Sequence, residues 1–151
     1  MDWRTRFFLL IAFADCSLIF MASDFGLLVW EGGSPITPEQ YGRAVYEIPA
    51  LVWAAFQSGG AILGLIGAIM VAACDDDSTL PLRGRIGALI CGLGNLSLMV
   101  MFSVFALLSR NAVEGILLHS LTKFPGTWIY GAFAVLSLRL VIWGDEIDRV
   151  D

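Results

Sequence analysis

Apolar and charged positions fall into long blocks along this chain instead of alternating. Four runs of 18 to 26 residues hold at most two charged residues each, and clusters of charge separate them. A helix needs about 20 apolar residues to cross the hydrocarbon core of a bilayer. Membrane strands would alternate apolar and polar residues over about 10 positions, which these runs do not. The pattern therefore predicts four transmembrane helices, at about residues 7–30, 48–73, 86–108 and 126–143.

The composition agrees with a membrane location. Hydrophobic residues make up 58% of the 151 residues and charged residues 15%, whereas soluble domains carry about 25% charged residues. A soluble domain of this length buries about two-thirds of its surface and could not hide so many apolar side chains. We therefore expect an all-α integral membrane protein, a single domain over residues 1–151 whose four transmembrane helices form an antiparallel bundle.

The basic residues predict the orientation of these helices. Cytoplasmic segments carry an excess of lysine and arginine, and that excess falls on the side of the two termini. We therefore expect both termini to lie in the cytoplasm, with the protein in the inner (cytoplasmic) membrane of a bacterium. The inner residues are Arg4, Arg6, Arg83, Arg85 and Arg149, with Arg139 close by, and the outer ones are Arg43, Arg110 and Lys123.

The two connections on the predicted outer side have the pattern of short amphipathic helices. Within residues 31–47, the Thr37–Gln40 segment has the N-cap, proline and glutamine of a capping box. Within residues 109–125, Asn111 and Glu114 have a similar spacing ahead of an apolar stripe. Each helix would lie on the membrane surface, either as a connector between spans or as a lid or docking surface.

Five polar residues fall inside the predicted spans, where they are costly. A charged side chain at the middle of a span costs about 2.5–3.5 kcal/mol, so it usually faces protein or water. Asp15 and Arg139 lie at compatible depths if the first and last spans are neighbours, and we expect them to pair. The alternative for Arg139 is to extend to the inner interface. The intramembrane polar residues are Asp15, Asp24, Gln57, Asn95 and Arg139.

Small residues recur every four positions in the second and third spans. Such stripes let helix backbones approach closely in a membrane. The two spans are joined by a short connection, so the stripes are expected to pack on each other within one subunit, and the alternative is that one stripe faces another subunit. The candidate packing residues are Gly60, Gly64 and Ala68 in the second span and Gly84, Ala88 and Gly92 in the third.

The sequence shows no pattern of residues that would support catalysis or cofactor binding. It lacks the common nucleophile, zinc, phosphate-binding and dinucleotide motifs. His119 is the single histidine, and the three cysteines have no metal-binding spacing. A net charge of −5 argues against nucleic-acid binding. We therefore expect a protein that is not an enzyme and that has no catalytic residues, no metal and no cofactor.

Three classes of function fit these features. The favoured one is a non-catalytic protein that acts by helix–helix assembly, as a structural, accessory or scaffold component of a membrane complex. Its partners would be the lipid bilayer and either other membrane subunits or further copies of itself. The second class is a pore former, because small size and several spans look like phage holins. The third is a proton- or cation-coupled transporter, because an acidic residue in the first of four spans, here Asp15, is similar to the small multidrug transporters.

Overall fold

The fold was analysed in a computed structural model. It describes residues 3–30, 50–74, 80–109 and 125–143, without the side chains of residues 21–30, 50, 51, 53, 54, 105, 108 and 109. These segments are all-α, and their four helices pack antiparallel. In chain order the helices are α1 (Trp3–Trp30), α2 (Ala50–Ala72), α3 (Leu82–Ser109) and α4 (Gly126–Trp143). The prediction of four long helices in an antiparallel arrangement is confirmed.

Two prolines mark where helices begin. Pro81 precedes α3, and its carbonyl accepts a hydrogen bond from Arg85 N–H at 3.0 Å. Pro125 precedes α4, and its carbonyl accepts one from Ile129 N–H at 3.1 Å. Proline suits the start of a helix because the first turn needs no N–H from it and its fixed φ is helical. Both helices therefore begin directly after a proline, and this start does not depend on where the apolar run of the sequence begins.

The helices pack in chain order, α1 on α2, α2 on α3 and α3 on α4. Aromatic side chains link the first helix to the last. The ring of Phe7 lies 5.8 Å from that of Phe133, and Phe133 lies 5.7 Å from Tyr130, both edge to face. Tyr130 in turn stacks on Phe102 of α3 at 5.8 Å. These rings close the bundle along the side where α1 and α4 face each other, and edge-to-face pairs add about 0.5–1.5 kcal/mol each.

Glycines bring the backbones of α2 and α3 into direct contact. A Cβ added to Gly94 would lie 2.5 Å from Gly64 N and 2.6 Å from Gly60 O. A Cβ on Gly67 would overlap the backbone of Gly87 and Cys91. Larger residues at these points would force the helices apart, so this seam depends on small residues as membrane helix pairs commonly do.

The outside of the bundle is strongly apolar, as expected for lipid contact. Large hydrophobic side chains are exposed on each described helix, including Phe13 at 72% and Ile142 at 70%. By length and composition α2, α3 and α4 could each cross a membrane. A soluble protein rarely exposes contiguous apolar surface on this scale. These features indicate an integral membrane protein.

Parts of the sequence prediction fall on residues that the structure does not describe. The amphipathic surface helices predicted within residues 31–47 and 109–125 fall on residues 31–47 and 110–124, which lie outside the described residues. Among the tryptophans whose side chains are described, Trp3, Trp128 and Trp143 all lie near helix ends, and each is about half exposed. That placement is typical of the membrane interface, but the N-in and C-in orientation stays a prediction.

Candidate functional site

Asp15 lies in the middle of α1 with its side chain fully buried. It packs against Gly64 of α2 and the amide group of Asn95 of α3, which is also fully buried. A Cβ on Gly64 would overlap Asp15 Oδ2 and would lie 2.9 Å from Asn95 Nδ2. The missing side chain of Gly64 therefore provides the space that the carboxylate and the amide share.

Three further polar side chains surround this pair from α3 and α4. Ser137 and Cys91 are both fully buried, and Ser137 Oγ donates to Cys91 Sγ at 3.6 Å. Tyr130 is buried as well, and its hydroxyl donates to the carbonyl of Ala14 at 3.5 Å. The cluster of Asp15, Cys91, Asn95, Tyr130 and Ser137 brings residues of α1, α3 and α4 together in the interior, and we call it the polar cluster.

The hydrogen bonds of the polar cluster leave acceptors without donors. Asn95 Nδ2 donates to the carbonyl of Cys91 at 2.9 Å. Within the described residues, neither oxygen of the Asp15 carboxylate has a hydrogen-bond partner, and neither does Asn95 Oδ1. Most buried polar atoms in proteins are hydrogen-bonded, so each exception needs an explanation. Here three exceptions lie on two adjacent side chains.

The predicted pair between Asp15 and Arg139 is wrong. Arg139 is exposed, and its guanidinium lies over the ring of Trp143 at 5.9 Å. The reason is rotational: each residue turns a helix by about 100°, so Arg139 points about 200° away from Ser137, which faces the interior. The depth of Arg139 had suggested a pair, but its direction around α4 takes it out of the bundle. The alternative was an arginine that extends to the inner interface; the structure places Arg139 beside Trp143 at the end of α4, and the membrane side of that end stays a prediction.

The remaining predicted polar residues have separate surroundings. Gln57 of α2 is half-buried, and its Nε2 donates to the carbonyl of Leu18 of α1 at 3.3 Å. Asp24 falls within α1, but its side chain lies outside the described residues. Neither residue is placed in the polar cluster.

The predicted packing residues all lie at contacts within this one chain. Ala68 and Ala88 are fully buried. Gly60 faces Ser97 and Leu98 of α3, whereas a Cβ on Gly84 would meet Leu80 and Cys74, beside the end of α2. Gly92 faces Leu138 of α4 instead of α2. The third-span stripe therefore contacts more than one neighbour.

Sequence reasoning passed over several residues that the structure makes central. Gly67 was not singled out, although it follows Gly60 and Gly64 at the next helical interval. Cys91 and Ser137 were not recognised as polar partners in the interior. The spacing of Gly87, Cys91 and Gly94, three to four residues apart, marks one face of α3 and is the signal that could have found this seam.

The described part of the chain has no group of three or more His, Cys, Asp or Glu side chains that could hold a metal ion. Comparison with protein-family models, with curated proteins and with solved structures found no match. The function therefore has to be argued from the geometry of the bundle.

Proposed function

We propose that this protein is a four-span integral membrane protein of the bacterial inner membrane, with both termini in the cytoplasm. In this proposal α1 is a fourth membrane-spanning helix, in addition to α2, α3 and α4. Helix α1 has 28 residues, so at 1.5 Å per residue it is about 42 Å long, enough for a hydrocarbon core of about 30 Å. Over the part of α1 whose side chains are described, Phe13 and Phe20 are exposed at 72% and 68%, so the outward face there is apolar.

We further propose that it acts without catalysis, by helix–helix assembly with another membrane protein or with a second copy. The observation that carries this is an apolar groove of about 420 Å³ on the outside of α2 and α3. A groove of this shape suits the side chains of another transmembrane helix, because helix pairs in membranes associate by close van der Waals packing. Its lining residues are Val52, Phe56, Leu93, Leu96, Ser97, Val100, Met101 and Val104.

The two alternatives differ in how well the geometry supports them. A pore within one chain gains no support, because the backbones of α2 and α3 touch at Gly94 and Gly64. A pore between several chains would need the same assembly. A cation-coupled transporter is favoured by one observation, the burial of Asp15 without a hydrogen-bond partner among the described residues.

Photo-crosslinking in native membranes tests the assembly proposal. Benzoylphenylalanine replaces Phe56, which is 60% exposed in the groove, or Phe13, which is 72% exposed on α1 as the matched control. We expect a crosslinked product of defined mass from position 56 and none from position 13. The mass identifies a second copy or another subunit. If position 56 gives lipid adducts alone and the detergent-purified protein has the mass of one chain, the groove is no assembly surface.

A further inference from the structure

The three acceptors without donors in the polar cluster are the strongest chemical signal in the molecule. Asp15 and Asn95 are each 0% exposed. Within the described residues, Asp15 Oδ1, Asp15 Oδ2 and Asn95 Oδ1 accept no hydrogen bond. The donors in the polar cluster bond to other acceptors: Asn95 Nδ2 donates to the Cys91 carbonyl at 2.9 Å and to Cys91 Sγ at 3.5 Å, and the Tyr130 hydroxyl donates to the Ala14 carbonyl at 3.5 Å.

An ionised carboxylate without a counter-charge is not stable in such a buried position. Burying an unpaired charge in an apolar interior costs far more than the chain gains from a few contacts. Arg139, the basic residue nearest in depth by sequence, points out of the bundle. Helix α2, which packs against Asp15, contributes Gly64 and has no ionisable residue in its sequence. The charge of Asp15 must therefore be neutralised by something other than these side chains.

We propose that Asp15 and Asn95 form a binding site for one small monovalent cation, either H⁺ or Na⁺. The two ions share one chemistry, a single positive charge placed between a carboxylate and an amide oxygen. A proton neutralises the Asp15 carboxylate and turns it into a hydrogen-bond donor, and the buried Asn95 Oδ1 is an acceptor without a partner among the described residues. A sodium ion takes the same oxygens as ligands, because hard cations prefer oxygen.

The charge of the site argues for a monovalent ion. The polar cluster holds one carboxylate, so a divalent ion would leave a net positive charge in the interior. The described residues also offer no group of three His, Cys, Asp or Glu side chains such as a tightly bound divalent ion usually needs. Acidic residues within membrane spans commonly mark ion or proton pathways. The inference for Asp15 does not depend on the assembly proposal.

Any test must distinguish the titration of Asp15 from that of the other titratable groups that face it. These are the thiol of Cys91 on α3 and the hydroxyl of Tyr130 on α4, both buried. Cys91→Ala and Tyr130→Phe remove each group in turn. If Asp15 is the ion-binding group, neither substitution abolishes the pH and Na⁺ responses described next.

Labelling of the whole protein in detergent with dicyclohexylcarbodiimide is the decisive experiment. This apolar reagent reacts with protonated carboxyl groups in apolar surroundings, and peptide mass spectrometry locates the adduct. We expect an adduct on Asp15 whose rate of formation falls as the pH rises. Replacing choline chloride with NaCl at constant ionic strength distinguishes the ions, because slower labelling in NaCl identifies Na⁺ and an unchanged rate identifies H⁺.

Two variants give additional tests of the assignment to Asp15 and Asn95, although labelling of the wild-type protein is sufficient. Asp15→Asn should abolish the adduct, and Asn95→Leu should keep the adduct while weakening any protection by NaCl. If Asp15→Asn does not fold, the mapping on wild-type protein still decides the question. An Asp15 carboxyl that is never labelled, or is labelled at a rate independent of both pH and NaCl, overturns the proposal. Neither result bears on photo-crosslinking at Phe56, so the two proposals fail separately.

Discussion

Replacing Gly94 with alanine tests whether α2 and α3 are in backbone contact. The added Cβ would lie 2.5 Å from Gly64 N and 2.6 Å from Gly60 O, against an ordinary contact of at least 3.4 Å. Relief requires a displacement of about 0.9 Å, and both contacted atoms belong to a helix backbone that cannot rotate aside as a side chain would. The helices must therefore separate along this seam, which loosens the packing on either side of Gly94.

Gly59 is the matched control for this substitution. It also lies inside a helix, but no described atom lies within 4 Å of the Cβ that alanine would add there. Glycine to alanine gains about 0.8–1.0 kcal/mol of helix propensity at either position. Overpacking in a tight contact costs about 1–3 kcal/mol. Because the propensity gain is common to both variants, their difference isolates the packing cost, and Gly94→Ala should be less stable than Gly59→Ala by about 1–3 kcal/mol.

Thermal unfolding in mild detergent, followed by circular dichroism, measures this difference. For a chain of this size 1 kcal/mol corresponds to roughly 2–4 °C, so the two midpoints should differ by about 2–12 °C. Wild-type protein should fall between the variants, or close to Gly94→Ala if the packing cost is near its lower limit. Equal midpoints for Gly94→Ala and Gly59→Ala would refute the reasoning, because they would mean that the helices do not touch at Gly94.

Three further outcomes are expected, two from the structure and one from the distribution of basic residues in the sequence. Asp15→Asn and Arg139→Gln should change the unfolding free energy additively to within about 0.5 kcal/mol, since the two side chains do not meet; a double mutant that recovers stability would show coupling. Tyr130→Phe should cost at most about 1 kcal/mol in the same unfolding assay, because it removes one long hydrogen bond and keeps the ring contacts; a larger loss would show a stronger role for the hydroxyl. In a cysteine-free background, an impermeant thiol reagent should label Ser34→Cys but not Asp76→Cys in intact cells; the reverse pattern would invert the predicted topology.

Hydropathy predicted the number of helices well, because the membrane requirement dominates these runs. Helix α4 has the predicted bounds, and α2 is shorter than its predicted span by three residues in total. Helices α1 and α3 begin four residues earlier than predicted. Their first turns contain Arg4, Arg6, Arg83 and Arg85, which were used to mark the ends of spans. Charge shows where a helix leaves the hydrocarbon, whereas the helix itself continues until its backbone hydrogen bonds end.

Two members of the candidate site, Asp15 and Asn95, were predictable from the sequence, but their contact with each other was not. Asp15 and Asn95 stand out in any apolar run because buried polar groups are expensive. Their meeting depends on how α1 and α3 are rotated against Gly64, and a stripe of glycines does not show which contacts are backbone and which are side chain. The prediction for Arg139 used depth alone. The buried face of α4, with Tyr130 and Ser137 on it, carries the rotational information that excludes the arginine.

Gly64 shows why small-residue stripes and intramembrane charges should be considered together. One side of this residue lies against Gly94, where its small size brings two backbones into contact, and its missing side chain leaves the space that Asp15 occupies. A stripe of this kind is usually taken as a packing device. Here the same device admits a carboxylate between three helices and keeps it from lipid, at a point where the described side chains supply no counter-charge. The close packing of α2 and α3 and the burial of Asp15 are therefore two consequences of the same glycine.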